Sequence, residues 1–175
     1  MKKKTLFNFI LAAIFAAIIA VLSQIAIPIS EVPMTLQTFA VALAAYSLGT
    51  KFSALSVGVY LAIGAVGVPV FANFKGGLSC FAGPTGGFLI GFIFMAVLCS
   101  LAINMKNIAL KILVSAAGLI VCHIFGVVWF MIVLGRGLWD SFLIASAPYL
   151  IKDVISLILA YFISMSIRKG VNKIS

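Results

Sequence analysis

Acidic residues are almost missing from this chain: Glu31, Asp140 and Asp153 are the only three among 175. All charged residues together make up 9% of the sequence, about a third of the share that soluble domains carry. With 65% of residues apolar, the chain cannot cover itself with the polar surface that water demands. In a bilayer that demand reverses. Histidine occurs once, as His123, and Cys80, Cys99 and Cys122 share no spacing. That poverty argues against a metal site or a disulfide framework, and no H-E-x-x-H motif appears. No phosphate loop of the type G-x-x-x-x-G-K-[ST] is present, so the chain does not bind and hydrolyse ATP in that way. No Gly-x-Ser-x-Gly occurs either, and His123 has no evident partner in the sequence. An enzyme is the weaker class of reading, and His123 is read as an interior residue whose ring bonds across helices. Any transport must then draw energy from a partner or an ion gradient.

What the chain has in abundance is long apolar runs. A helix needs about 20 residues to cross a hydrocarbon core of about 30 Å. Six stretches qualify, at roughly 6–27, 34–50, 53–70, 84–103, 109–134 and 147–167, which predicts a six-helix bundle in one domain over residues 1–175. The second and third are short enough to read as one helical hairpin buried in protein. Pro28, Pro33, Pro69, Pro84 and Pro148 fall at or beside span ends, where a missing backbone donor does little harm. The start, three lysines before an apolar run, resembles a signal peptide, but the run from Leu6 to Ile27 exceeds a signal core and reads as a retained span.

The net charge of +9 belongs to topology, not to nucleic acid, because no polar domain exists to present a basic surface. With a cytoplasmic amino terminus, Lys2, Lys3, Lys4, Lys51, Lys106, Lys111, Arg168, Lys169 and Lys173 lie inside, against Lys75, Arg136 and Lys152 outside. That bias predicts a multi-pass protein of the cell membrane with both termini in the cytoplasm. All three acids fall on the outer half.

Polar residues and glycines gather in the outer connections, at 28–38, 68–77, 83–87 and 148–153. In this topology spans two, four and six begin on the outer side, and helix starts with unpaired N–H groups favour an anion. Gly83, Gly86 and Gly87 let backbone approach a ligand, or equally let helices pack closely. Asp153, about a turn inside an apolar span, is a functional-site candidate; its bland alternative is a capping acid. Gln37 and Asn73 offer donors and acceptors beside it. Tyr149 and Trp129 offer apolar walls, or serve as interfacial aromatics.

Three blocks carry a family resemblance: Pro33-Met-Thr-Leu-Gln-Thr-Phe39, Tyr60-Leu-x-x-Gly-x-x-Gly-x-Pro-Val-Phe-Ala72 and Gly83-Pro-Thr-Gly-Gly-Phe-Leu-x-Gly-Phe92. Together with Gly126-Val-Val-Trp129 and Pro148-Tyr-x-x-x-Asp153 they span nearly the whole chain, in order. The chain resembles the BioY family, the biotin-binding substrate subunits (S components) of energy-coupling-factor vitamin transporters. The resemblance implies a six-helix subunit that captures biotin from outside. Delivery then involves a transmembrane coupling protein and two cytoplasmic ATPases. No cofactor is implied; biotin is the transported ligand. The ligand site implied is Asp153, Asn73, Gln37, Tyr149, Gly86, Trp129 and Lys152, with Asp153 accepting from the ureido N–H groups.

The family pattern continues Asp-x-x-Lys where this chain has Ser156. Lys152 projects about 100° away from Asp153 on a helix, so it reaches the site only from the side, by snorkelling. In the first span, Ala12, Ala16 and Ala20 recur every fourth residue, with Ala13 and Ala17 beside them. The resemblance implies that this stripe docks on the coupling protein; packing within the subunit is the alternative. Two other functions stay open here: the same architecture serving another small vitamin-like molecule, and an intramembrane enzyme built on Asp153 and His123.

Overall fold

In lipid every backbone polar group has to be satisfied within its own segment, so the apolar runs fold as helices. The computed structural model describes residues 3–174, with side chains described over 5–171. Lys2, Lys3, Lys4 and Lys173, assigned above to the cytoplasmic side, lie outside the described side chains. In chain order the helices are α1 (Lys3–Ser23), α2 (Gln37–Leu48), α3 (Thr50–Ala65), α4 (Ser79–Ala82), α5 (Gly86–Ile103), α6 (Ile108–Leu134), α7 (Leu138–Ala145) and α8 (Leu150–Ile174). Helices α1, α5, α6 and α8 are long and apolar enough to cross a membrane. Helices α2 and α3, with 12 and 16 residues, reach about 18 and about 24 Å at 1.5 Å per residue.

Helix α2 is the centre of the bundle. Its side chains from Ala40 to Ser47 are all buried, and α1, α3, α5 and α8 pack around it. Its small alanine and valine side chains are what let four helices come close. Outward from there, α6 packs on α5, and this pair interlocks through glycine. A Cβ on Gly87 would stand 2.2 Å from the Phe125 carbonyl oxygen, and one on Gly91 would stand 2.9 Å from the Cys122 Cα. Both neighbours are backbone atoms, which cannot swing aside.

Several boundaries differ from the sequence expectation, each for a polar reason. The first span stops at Ser23 because its polar residues turn to the 68–77 connection. The Ser23 hydroxyl donates to the Val70 carbonyl, Gln24 Nε2 donates to the Phe71 carbonyl at 3.1 Å, and Gln24 Oε1 accepts the Phe74 N–H at 2.9 Å. Residues beyond it form β1 (Ala26–Ile27), paired antiparallel with β2 (Met34–Thr35), Ala26 facing Thr35. The molecule is a helical bundle, as expected, with one short ribbon added. The third span ends at Ala65 because Gly67 takes a φ of 105°, which leaves the helical region. Helices α4 and α7 occupy connections expected to be loops.

The alanine stripe is turned inward. Ala12 and Ala16 are buried and Ala20 is half-buried against α2 and α3, whereas Ala13 and Ala17 are exposed. The expectation that Ala12, Ala16 and Ala20 form an outward docking face is corrected: those three pack inside the subunit.

Candidate ligand-binding site

Helices α2, α5 and α8 begin at the same end of the bundle, and their first turns open onto one cavity of about 590 Å³. The convergence of these three helix starts is as the sequence suggested. Pro28, Val32 and Thr35 of the ribbon and its loop form one wall, and Phe71, Ala72, Asn73 and Lys75 form another. Leu119, Cys122 and His123 of α6 close the back. The volume suits a small molecule, since such sites run about 300–1,000 Å³. Phe71, Phe88, Phe92 and Tyr149 give the lining its aromatic rings, and polar side chains are interspersed with them.

Asp153 is the deepest of these. It lies in the first turn of α8 and is only 4% exposed. Its Oδ2 is 3.2 Å from His123 Nε2, and its Oδ1 faces the ammonium of Lys152. The contact with Lys152 is a close ion pair that engages the buried Oδ1 from the side. The carboxylate therefore turns to α6 and to the cavity, not to the N–H groups of its own helix start. The capping alternative is not what the geometry gives. Lys152 lines the cavity, and its Nζ also donates to the Thr35 carbonyl at 2.8 Å. Snorkelling thus brings it to the carboxylate from the side, while Ser156, one turn further, is buried.

Gln37, Asn73 and Tyr149 also reach the cavity. Gln37 is buried and oriented at both ends: Oε1 accepts from the Thr35 hydroxyl at 2.9 Å and Nε2 donates to the Tyr60 hydroxyl at 2.6 Å. One N–H of its amide remains for a ligand. Asn73 sits exposed at the mouth, in a turn with φ 59°, a conformation asparagine tolerates better than most residues. Tyr149 packs its ring with Val32, Phe130 and Ala145, and its hydroxyl bonds the Val32 carbonyl and Ser30 at 2.9 Å. The ribbon loop is thereby held against the start of α8.

Trp129 and Gly86 stand behind the wall and not on it. Trp129 Nε1 donates to the Gly83 carbonyl at 3.1 Å, which fixes the Gly83-Pro-Thr-Gly-Gly turn. A Cβ on Gly86 would lie 1.8 Å from the Phe81 carbonyl oxygen and 2.9 Å from Trp129 Nε1. Their expected ligand contacts are corrected to a packing role one layer out. The residue that sequence reasoning left out is His123, whose ring lines the cavity between Asp153 and Ser146. The signal was present, since any ionisable group inside an apolar span is a site candidate.

The family model for BioY matches residues 1–173. The chain belongs to the BioY family. Among the BioY relatives, a Thermotoga maritima protein described as biotin transporter BioY is 41% identical over 90% of this chain and 94% of its own length. A Pyrococcus horikoshii protein described as a probable biotin transporter BioY is 35% identical, covering 88% and 91%. In three dimensions, a crystal structure of the S-component for biotin from an ECF-type ABC transporter matches with a TM-score of 0.87. It shares 27% identity and covers 97% of this chain and 94% of the other. The family is one of membrane transporters, not enzymes. The site agrees with that, because Ser146, the only hydroxyl bonded to His123 among the described residues, is buried away from the cavity wall. A nucleophile there would meet no substrate.

Proposed function

We propose that this chain is a biotin-binding S component, which takes the vitamin into the cavity at the starts of α2, α5 and α8. The observation that carries the reading is the buried carboxylate of Asp153 on the cavity wall, whose oxygens have lone pairs beyond those facing His123 and Lys152. A ureido group brings N–H donors to such an oxygen, and a hydrogen bond to a charged group in a dry site is among the stronger ones. Asn73 at the mouth and the remaining amide N–H of Gln37 serve the other polar atoms of the ligand. Phe71, Phe88 and Tyr149 flank its apolar ring. Lys152 neutralises Asp153 from the side, so the carboxylate has a cation even with Ser156 one turn on.

In this reading six helices cross the membrane, α2 and α3 being short because α2 is sheathed in protein and needs no lipid face. Both termini are cytoplasmic, and the cavity opens outward. A transmembrane coupling protein and two ATPases supply the energy, consistent with the lack of a nucleotide-binding loop in the chain itself. The test is thermal unfolding of the detergent-purified protein with and without biotin. A ligand that binds only the folded state raises the midpoint by mass action. Asp153→Ala should cut affinity by about 2 kcal/mol or more. A midpoint that biotin leaves unmoved, but that another vitamin raises, would transfer the reading to that vitamin.

A further inference from the structure

We propose that His123 is a positioning residue for Asp153, and that Ser146 fixes the His123 ring so that its Nε2–H points at the carboxylate. The inference rests on the biotin reading above and adds a residue to it. Three elements meet at the imidazole. On one edge, Nε2 lies 3.2 Å from Asp153 Oδ2, on α8. On the opposite edge, Nδ1 lies 2.8 Å from the Ser146 hydroxyl, at the end of α7. Against the face stands Phe88 of α5, edge-on, with ring centres 5.8 Å apart.

The proton count makes this arrangement directional. An ionised carboxylate only accepts, so the short contact with Oδ2 calls for a proton on Nε2. In a neutral imidazole Nδ1 is then an acceptor, and the Ser146 hydroxyl is the donor it needs. Ser146 is 1% exposed and off the cavity wall, so its role is confined to the ring. The outcome is a carboxylate on the cavity wall with one oxygen tied back to α6. That is how an acidic group on a helix start is kept from collapsing onto its own backbone N–H groups. The ring also sits opposite Lys152, which approaches the other oxygen. Cation and imidazole thus hold Asp153 from two sides, and the ligand meets a carboxylate that does not reorient on binding.

Two substitutions separate position from mere filling. Gln places an amide N–H near the former Nε2, and Asn places one near the former Nδ1. His123→Gln should keep biotin affinity within about threefold of the parent, while His123→Asn should lose about tenfold or more, the factor for one hydrogen bond to a charged group. In an Asp153→Asn background that difference between the two variants should vanish. Should neither variant fold, the parent answers alone. His123 is the sole histidine, so protein labelled with nitrogen-15 in histidine gives one imidazole spectrum, expected to show a protonated Nε2. A bare Nε2 overturns the proposal, as does equal affinity of the Gln and Asn variants. If the parent itself fails to bind biotin, the functional reading falls first, and this inference falls with it.

Discussion

Lys152 touches two things at once, the Asp153 carboxylate and the Thr35 carbonyl of β2. Removing it strands a buried carboxylate and unties the ribbon from α8. Lys152→Met should therefore lower both thermal stability and biotin affinity, by about 2 kcal/mol in affinity. Isothermal titration checks it, and an unchanged dissociation constant would leave Asp153 acting without its cation. Cys80 offers a second probe, because it is half-buried on the cavity wall while Cys99 and Cys122 are buried. Biotin should slow its reaction with a maleimide severalfold; a rate indifferent to biotin would place the ligand elsewhere. At this scale the sequence was legible for Asp153, Lys152, Gln37, Asn73 and Tyr149, whose polarity stands out against apolar surroundings. It was silent on the sidedness of Trp129 and Gly86, which share a motif with the wall yet face away from the cavity. It joined His123 to Asp153 only in the enzyme alternative, not as part of a ligand site. Thirty residues and a change of helix separate them, and no spacing rule spans that.

The helices themselves were readable because lipid allows few alternatives to a hydrogen-bonded helix. Their ends were not, since Ser23 and Gln24 reach beyond the Ala20 carbonyl of their own helix to partners in a loop almost fifty residues on. Nor was the rotation of α1: a four-residue repeat of alanine marks a close approach without saying to what. The structure settles it inward, so Ala16→Trp should now abolish folding or biotin binding, while Ala13→Trp should leave binding intact. Measuring biotin-induced stabilisation of both variants decides the matter, and a tolerated Ala16→Trp would reverse the assignment. The glycine interlock of α5 and α6 gives a parallel contrast. Gly87→Ala drives a methyl group into the Phe125 carbonyl and should cost about 2 kcal/mol or more, as overpacking against rigid backbone does. Gly58→Ala, in α3 with open space around it, should be neutral or stabilise by up to about 1 kcal/mol through the unfolded chain. Comparable melting points for the two would mean that the helices separate freely.

Taken whole, the molecule has a basic end and a ligand end. Lys51, Lys106, Lys111, Arg168 and Lys169 lie at or near the helix ends remote from the cavity, and Asp153, Glu31 and Lys75 border it. In a Cys80→Ala background, a cysteine placed beside Lys106 should be labelled only from the cytoplasmic side of sealed vesicles; labelling from outside would invert the topology. The ligand end also has a clasp. Glu31 in the ribbon loop pairs with Arg136 after α6 at 2.7 Å, both side chains about 40% exposed. So exposed a pair contributes about 0–1 kcal/mol to stability, and its importance lies in time. Residues on either side of Glu31 wall the cavity, so the clasp bears on how readily that loop lifts to admit or release a molecule. Where the clasp is closed in both the empty and the filled protein, breaking it speeds association and dissociation by the same factor. Glu31→Gln should shorten the residence of biotin severalfold in stopped-flow exchange while the equilibrium constant stays put, and raised salt, which screens the pair, should do to the parent what the substitution does.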